Sequence, residues 1–173
     1  DAIRKLACAL PALGLGVGDR AAIFAPNRVE WIEAALAIQA AGGVMVPVYP
    51  ACTAEQAAYI VAHSDAKVLF VDTAALLSRV FERFGELGSV QRVVLLDDAL
   101  DVSKVLAELR ASGKPAPTIA EVEAKVMGWS RALALGAACD AEAPEAFKAR
   151  MDSIELGQPD LMLYTSGTTG NPK

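Results

Sequence analysis

Apolar and polar positions follow two alternating periods along the chain, one helical and one extended. Residues 2–12 place Ile3, Leu6, Ala7 and Leu10 on one helical face. Gly14-Leu15-Gly16-Val17-Gly18-Asp19 then reads as a turn into the apolar run 21–25. Asn27 followed three residues later by Glu30 has the spacing of a capping box. It predicts a helix to about Ala41, with Trp31, Ala34, Ala35 and Ile38 inward and Gly42-Gly43 as its stop. Val44 to Tyr49 is a β-rich run whose Pro47 suits an edge strand. Thr53 with Gln56 is a second capping box and predicts a helix to His63.

The next runs, 67–71 and 92–96, are continuously apolar, the pattern of strands buried on both faces of a parallel sheet. Asp72 or Thr73 caps a helix between them, to about Phe84. Beyond Asp97 the pattern predicts a helix over 101–111 and a loop over 113–117. Thr118 with Glu121 forms a third capping box, opening a helix to about Leu135. Ala143-Pro144 begins a short charged helix to about Met151, and Asp160 to Tyr164 reads as a final strand. Strands alternating with helices predict an α/β fold, a layered and mostly parallel sheet flanked by helices. No internal repeat or low-complexity segment interrupts it.

Composition adds three constraints. Apolar residues are 54% of the 173, above the roughly 45–50% of ordinary soluble domains. The surplus is largely alanine, which suits helices. Net charge is −5, with no basic stripe interleaved with aromatics, which argues against nucleic-acid binding. Cys8, Cys52 and Cys139 are odd in number and widely spaced, fitting neither a disulfide framework nor a metal site. They point to a reducing, cytoplasmic setting. The uncharged stretch Ala34–Ala54 is long enough to span a bilayer, but Gly42-Gly43, Pro47 and Pro50 break it, so no transmembrane helix is expected.

The final residues carry the chemistry. Leu161-Met162-Leu163 leads into Tyr164-Thr165-Ser166-Gly167-Thr168-Thr169-Gly170-Asn171-Pro172-Lys173. The glycines let backbone approach a ligand closely, and successive N–H groups in such a turn form an anion-binding nest. Thr165, Ser166, Thr168 and Thr169 add hydroxyl donors, and Lys173 a mobile cation. This donor set suits a polyphosphate. It is not the Walker loop, because Asn171-Pro172 separate Gly170 from Lys173. Gly14-Leu15-Gly16 is no dinucleotide fingerprint either, since it precedes its strand.

The order Ser166-Gly167-Thr168-Thr169-Gly170-Asn171-Pro172-Lys173 resembles the phosphate-binding signature of the adenylate-forming superfamily. Upstream, Gly18 to Ile23, Asn27 with Glu30-Trp31, Gly42-Gly43-Val44, Val46 to Pro50, Tyr59-Ile60, His63-Ser64 and Ala66-Lys67 resemble the N-terminal part of long-chain fatty-acyl-CoA synthetases. The resemblance runs from about residue 2 to residue 173 and is loosest over 100–155. It implies that residues 1–173 are an N-terminal subdomain fragment of the large AMP-binding domain, truncated at the phosphate-binding loop. It implies a parent that activates a long-chain fatty acid with ATP to an acyl-adenylate, then transfers the acyl group to coenzyme A. Thr165, Ser166, Gly167, Thr168, Thr169, Gly170 and Lys173 would hold the β- and γ-phosphates. Mg²⁺ would share their charge through a ligand outside this stretch, and peripheral membrane association of the parent stays open. No catalytic residue is assigned, and the fragment alone is expected to be inactive. Two alternatives stand beside this reading: a fatty-acyl-AMP ligase that loads a carrier protein, and a non-catalytic truncated remnant.

Other chemistry-bearing residues read as structural. His63, the single histidine, has no placed nucleophile and reads as a helix-end or core residue. Cys52 reads as a small buried side chain, and Trp31 and Tyr59 as core at helical spacing. Asp97-Asp98 reads as a strand-end turn. Glu142, Glu145, Lys148, Arg150 and Asp152 read as a solvated helix face.

Overall fold

Four apolar runs read as extended become β1 (Arg20–Phe24), β2 (Val44–Val48), β3 (Val68–Val71) and β4 (Arg92–Leu95), all parallel. A short fifth strand, β5 (Val126–Gly128), pairs with β4 and completes the order β2-β1-β3-β4-β5. The computed structural model describes residues 1–165. Eight α-helices connect and flank the described strands: α1 (Ala2–Ala9), α2 (Val29–Ala40), α3 (Ala54–His63), α4 (Ala74–Glu82), α5 (Val102–Ala111), α6 (Ile119–Lys125), α7 (Trp129–Glu142) and α8 (Pro144–Asp152).

Strand side chains point alternately to opposite faces, which divides the core in two. Ala21, Ile23, Val68, Phe70 and Val94 meet α1, α2 and α7. Ala22, Phe24, Leu69, Val71, Val93 and Leu95 meet α3, α4, α5 and α6. Every residue of β3 is buried, as its unbroken apolar run requires. Pro47 lies opposite Ile23 in β2, the edge strand, where its missing N–H breaks no ladder on the β1 side. The uncharged stretch from Ala34 divides into the end of α2, a turn with Gly42 at φ 75°, and β2. Among the described residues, no helix is long and apolar enough to cross a membrane.

Two of the three expected capping boxes form. Thr53 Oγ1 accepts from the Gln56 N–H at 3.2 Å while Gln56 accepts from the Thr53 N–H at 3.0 Å. Thr118 and Glu121 reciprocate in the same way at the start of α6. Those bonds to Thr118 hold the Glu121 carboxyl below its usual range. Thr118→Ala is expected to cost about 1 kcal/mol, read as a lowered urea midpoint with unchanged slope. The box at Asn27 does not form. Arg28 is the N-cap of α2, and Glu30 is bonded to the Arg28 side chain rather than reaching back to the Asn27 N–H. Between the two candidates for α4, Thr73 is the cap, its Oγ1 accepting from the Leu76 N–H. Asp72 is committed elsewhere.

The helix predicted from Thr118 to Leu135 is interrupted. Residues 126–128 leave α6 to pair with β4, and α7 restarts at Trp129 and runs on to Glu142. Asp98 explains the restart. Its carboxylate accepts from the Ser130 N–H and hydroxyl at the N-terminus of α7, where the helix dipole favours a negative charge. A side chain at Gly128 would lie 2.2 Å from Asp98 Oδ1, so the glycine admits this contact. Asp97 closes its own turn by accepting from the Ala99 N–H.

Candidate functional site

In an open parallel sheet, ligands bind beyond the carboxyl ends of the strands, where the strand order reverses. Here that point lies between β1 and β3. Arg28, just after β1, bonds Asp72, just after β3, at 2.7 Å, and bonds Glu30 at 2.6 Å. The two bonds bridge the gap between the strand ends. Glu30 and Asp72 together hold the Arg28 guanidinium above its usual range, Glu30 contributing most. Arg28 in turn holds the Glu30 carboxyl low.

A cleft of about 660 Å³ opens beside this cluster, at the carboxyl ends of β1 and β2. Asn27 and Trp31 form one side, the loop after β2 another, and Gln56 and Ile60 of α3 a third. The loop is fastened from behind. Arg79 of α4 donates to the carbonyls of Pro50 and Cys52, both at 2.8 Å. Trp31 is half-buried, packed on the α2 core while facing the cleft, so it serves both as core and as wall. Cys52 is half-buried, and burial pushes its thiol up, away from the thiolate a nucleophile needs.

Leu163, Tyr164 and Thr165 close the last side of the cleft. The path to them is an edge attachment. Gln158 Nε2 donates to the Gly42 carbonyl at 3.0 Å. The Met45 N–H donates to the Asp160 carbonyl and the Met162 N–H to the Met45 carbonyl, each at 2.9 Å, forming a single parallel bridge between Met45 and Leu161. The expected strand 160–164 is therefore one bridge on the free edge of β2. Leu161 and Met162 stay partly exposed and Leu163 is 63% exposed, because no second layer covers them among the described residues.

Tyr164 is held differently. Its hydroxyl lies 2.7 Å from Nδ1 of His63, the last residue of α3. The His63 ring stacks on Tyr59 at 5.2 Å and meets the Tyr164 ring edge-on at 5.7 Å. Partial burial pushes the Tyr164 phenol up. His63 thus stands at a helix end, as expected, but with a partner that no local pattern announces.

Of the expected phosphate-binding residues, Thr165 is exposed at the mouth of the cleft. Ser166, Gly167, Thr168, Thr169, Gly170 and Lys173 lie outside the described residues. Among the described residues, no group of three or more His, Cys, Asp or Glu side chains is arranged to hold a metal ion. The charged helix α8 is a solvated face, with Lys148 paired to Asp152 along it. Sequence reasoning missed the Arg28–Asp72 bridge. The signal was a charged residue shortly after each of two buried runs, at positions only the strand order makes neighbours.

Comparison with known proteins agrees with this architecture. The chain is 32% identical over 171 residues to the long-chain-fatty-acid–CoA ligase FadD15 of Mycobacterium bovis, covering 99% of this chain and 24% of that protein. It is 35% identical over 173 residues to a Mycobacterium tuberculosis CoA ligase named for a methyl-dioxo-octahydroindenyl propanoyl group, covering all of this chain and 29% of that protein. It therefore spans about a quarter of the length of these relatives. Among solved structures, the anthranilate CoA ligase AuaEII in complex with anthranoyl-AMP shares the fold, with a TM-score of 0.65 at 17% identity over 99% of this chain and 27% of that one. The AMP-binding enzyme family model matches residues 1–173 from end to end, and the chain belongs to that family.

Proposed function

We propose that this chain is the N-terminal subdomain of an enzyme that activates a long-chain fatty acid with ATP and passes it to coenzyme A. The observation that carries the reading is the sequence Thr165 to Lys173, family-type in order, attached where a tethered segment reaches a cleft at the carboxyl edge of the sheet. A fatty carboxylate oxygen attacks the α-phosphorus of ATP, and the bond to pyrophosphate breaks. The coenzyme A thiol then displaces AMP and leaves a thioester. In this scheme Thr165, Ser166, Thr168, Thr169 and the glycine N–H groups hold the β- and γ-phosphates, and Lys173 offsets the charge that grows on the departing pyrophosphate. When bound, Mg²⁺ would share that charge. The described residues supply no acidic cluster for it, so its ligand is assigned to the rest of the protein. The names of the mycobacterial relatives support a CoA ligase, and FadD15 supports the long-chain acid. We place the reaction in the cytoplasm, with peripheral membrane association of the parent.

Pyrophosphate–ATP exchange in the whole protein tests this. Exchange is expected with long-chain fatty acids, followed by thioester formation on adding coenzyme A. Absence of exchange with every long-chain fatty acid, or transfer only to a carrier protein, would refute the ligase assignment. Lys173→Ala is expected to lower exchange on the order of a hundredfold, by analogy with losing one preorganised charge-stabilising donor.

A further inference from the structure

Ordering glycine-rich backbone costs conformational entropy. Fixing the residue at which such a segment begins lowers the entropy still to be lost when a ligand is bound. The chain enters Thr165–Lys173 through residues 160–164, and the backbone pairing there ends at Met162. Leu163 is largely exposed and contributes no anchor. The next anchor is Tyr164, adjacent to Thr165 in the chain.

From Tyr164 the contacts run inward. The Tyr164 hydroxyl and His63 Nδ1 are 2.7 Å apart, His63 stacks on Tyr59, and Tyr59 packs on the core beneath α3. The same helix offers Gln56 and Ile60 to the cleft. His63 therefore couples the root of the loop to the helix that lines the pocket. We infer that His63 is a positioning residue for ATP binding, acting through the Tyr164 hydroxyl to set the root of the phosphate loop. This rests on reading Thr165–Lys173 as that loop. Either imidazole tautomer serves, since the phenol can donate to Nδ1 or accept from it.

The test is the KM for ATP in pyrophosphate exchange, measured on the whole protein. His63→Leu removes the hydrogen bond, and Tyr164→Phe removes it from the other side while keeping the ring. Each is expected to raise the KM for ATP about five- to tenfold, the size of one hydrogen bond, with kcat within about twofold. The double variant is expected to be no worse than either single one, because both remove the same bond. His63→Asn, whose carboxamide offers both donor and acceptor, is expected to restore KM to within about twofold of the parent. Mere loss of folded protein would lower kcat and leave KM alone. An unchanged KM in His63→Leu or Tyr164→Phe, additive effects in the double variant, or no recovery in His63→Asn overturns the inference. Lys173→Ala separates the two claims. If it leaves exchange intact, the phosphate-loop reading itself fails. If it lowers exchange while His63 and Tyr164 variants keep the parent KM, only the role of His63 fails.

Discussion

Gly136→Ala is expected to destabilise the protein by about 3 kcal/mol or more, although alanine is the better helix former by about 1 kcal/mol. Gly136 lies inside α7, against the backbone of α1. A Cβ there would fall 1.7 Å from the Lys5 carbonyl oxygen, 2.5 Å from its carbon and 3.2 Å from the Ala9 nitrogen. These are main-chain atoms, so no rotamer change relieves the clash and the two helices must separate. Separation exposes Leu6, Ala9, Leu10 and Ala132, all fully buried in the core between α1, α7 and the sheet. The Arg4–Asp140 ion pair, at 2.8 Å across the same helices, opens with them. A drop in the urea midpoint measures the effect. Gly157→Ala is the control, because a Cβ at Gly157 meets nothing within 4 Å, and its midpoint is expected to move by less than about 0.5 kcal/mol in equivalent stability. Equal midpoints for Gly136→Ala and the parent would contradict the packing described here.

Arg28→Met has the second large expected effect. The Asp72 side chain is only 8% exposed and bonds Arg28 at 2.7 Å. Removing the guanidinium leaves a buried carboxylate without its cation, at a cost of about 3–5 kcal/mol. Arg28→Met combined with Asp72→Leu is expected to recover most of that loss, because a buried pair replaced by apolar side chains avoids desolvating either charge. Equal losses in the single and double variants would refute the assignment. The acid limb of the stability curve should change too. Arg28 lowers the folded-state value of the Glu30 carboxyl below the ordinary 4.5. The resulting stabilisation is fully present above pH 4.5 and is lost as pH falls through the lower folded value. Arg28→Met removes it, so the variant is expected to lose less stability than the parent on acidification below pH 4.5, as unfolding titrations at several pH values would show.

Much of the scaffold was legible because its signals are local. Unbroken apolar runs such as 68–71 need burial on both faces, and a parallel sheet is the usual way to supply it. Thr53 with Gln56 and Thr118 with Glu121 mark helix starts through bonds made within three residues. The box at Asn27 failed because a competing interaction from outside that window, the reach of Arg28 to Asp72, drew the helix start one residue on and left Glu30 to the guanidinium. β5 was invisible for a related reason. Val126-Met127-Gly128 is too short to show a period, and only the open edge of β4 makes it a strand. Gly128 in a helical pattern was the one usable hint.

At the site the division is sharper. The order Thr165 to Lys173 is written in residue types, so glycines, hydroxyls and a lysine in that order point to the family without coordinates. Where the chain just before it is tied is a different matter. His63 and Tyr164 stand 101 residues apart in the chain, and Arg28 and Asp72 stand 44 apart. By itself the sequence determined β1 to β4, most of the helix starts, the α/β class and the family. Only the tertiary structure decided the strand order, the cleft beside it and the contacts that hold its walls. Periodicity and capping depend on neighbours within a few residues, whereas side-chain pairing depends on which strand ends and helix ends the fold brings side by side.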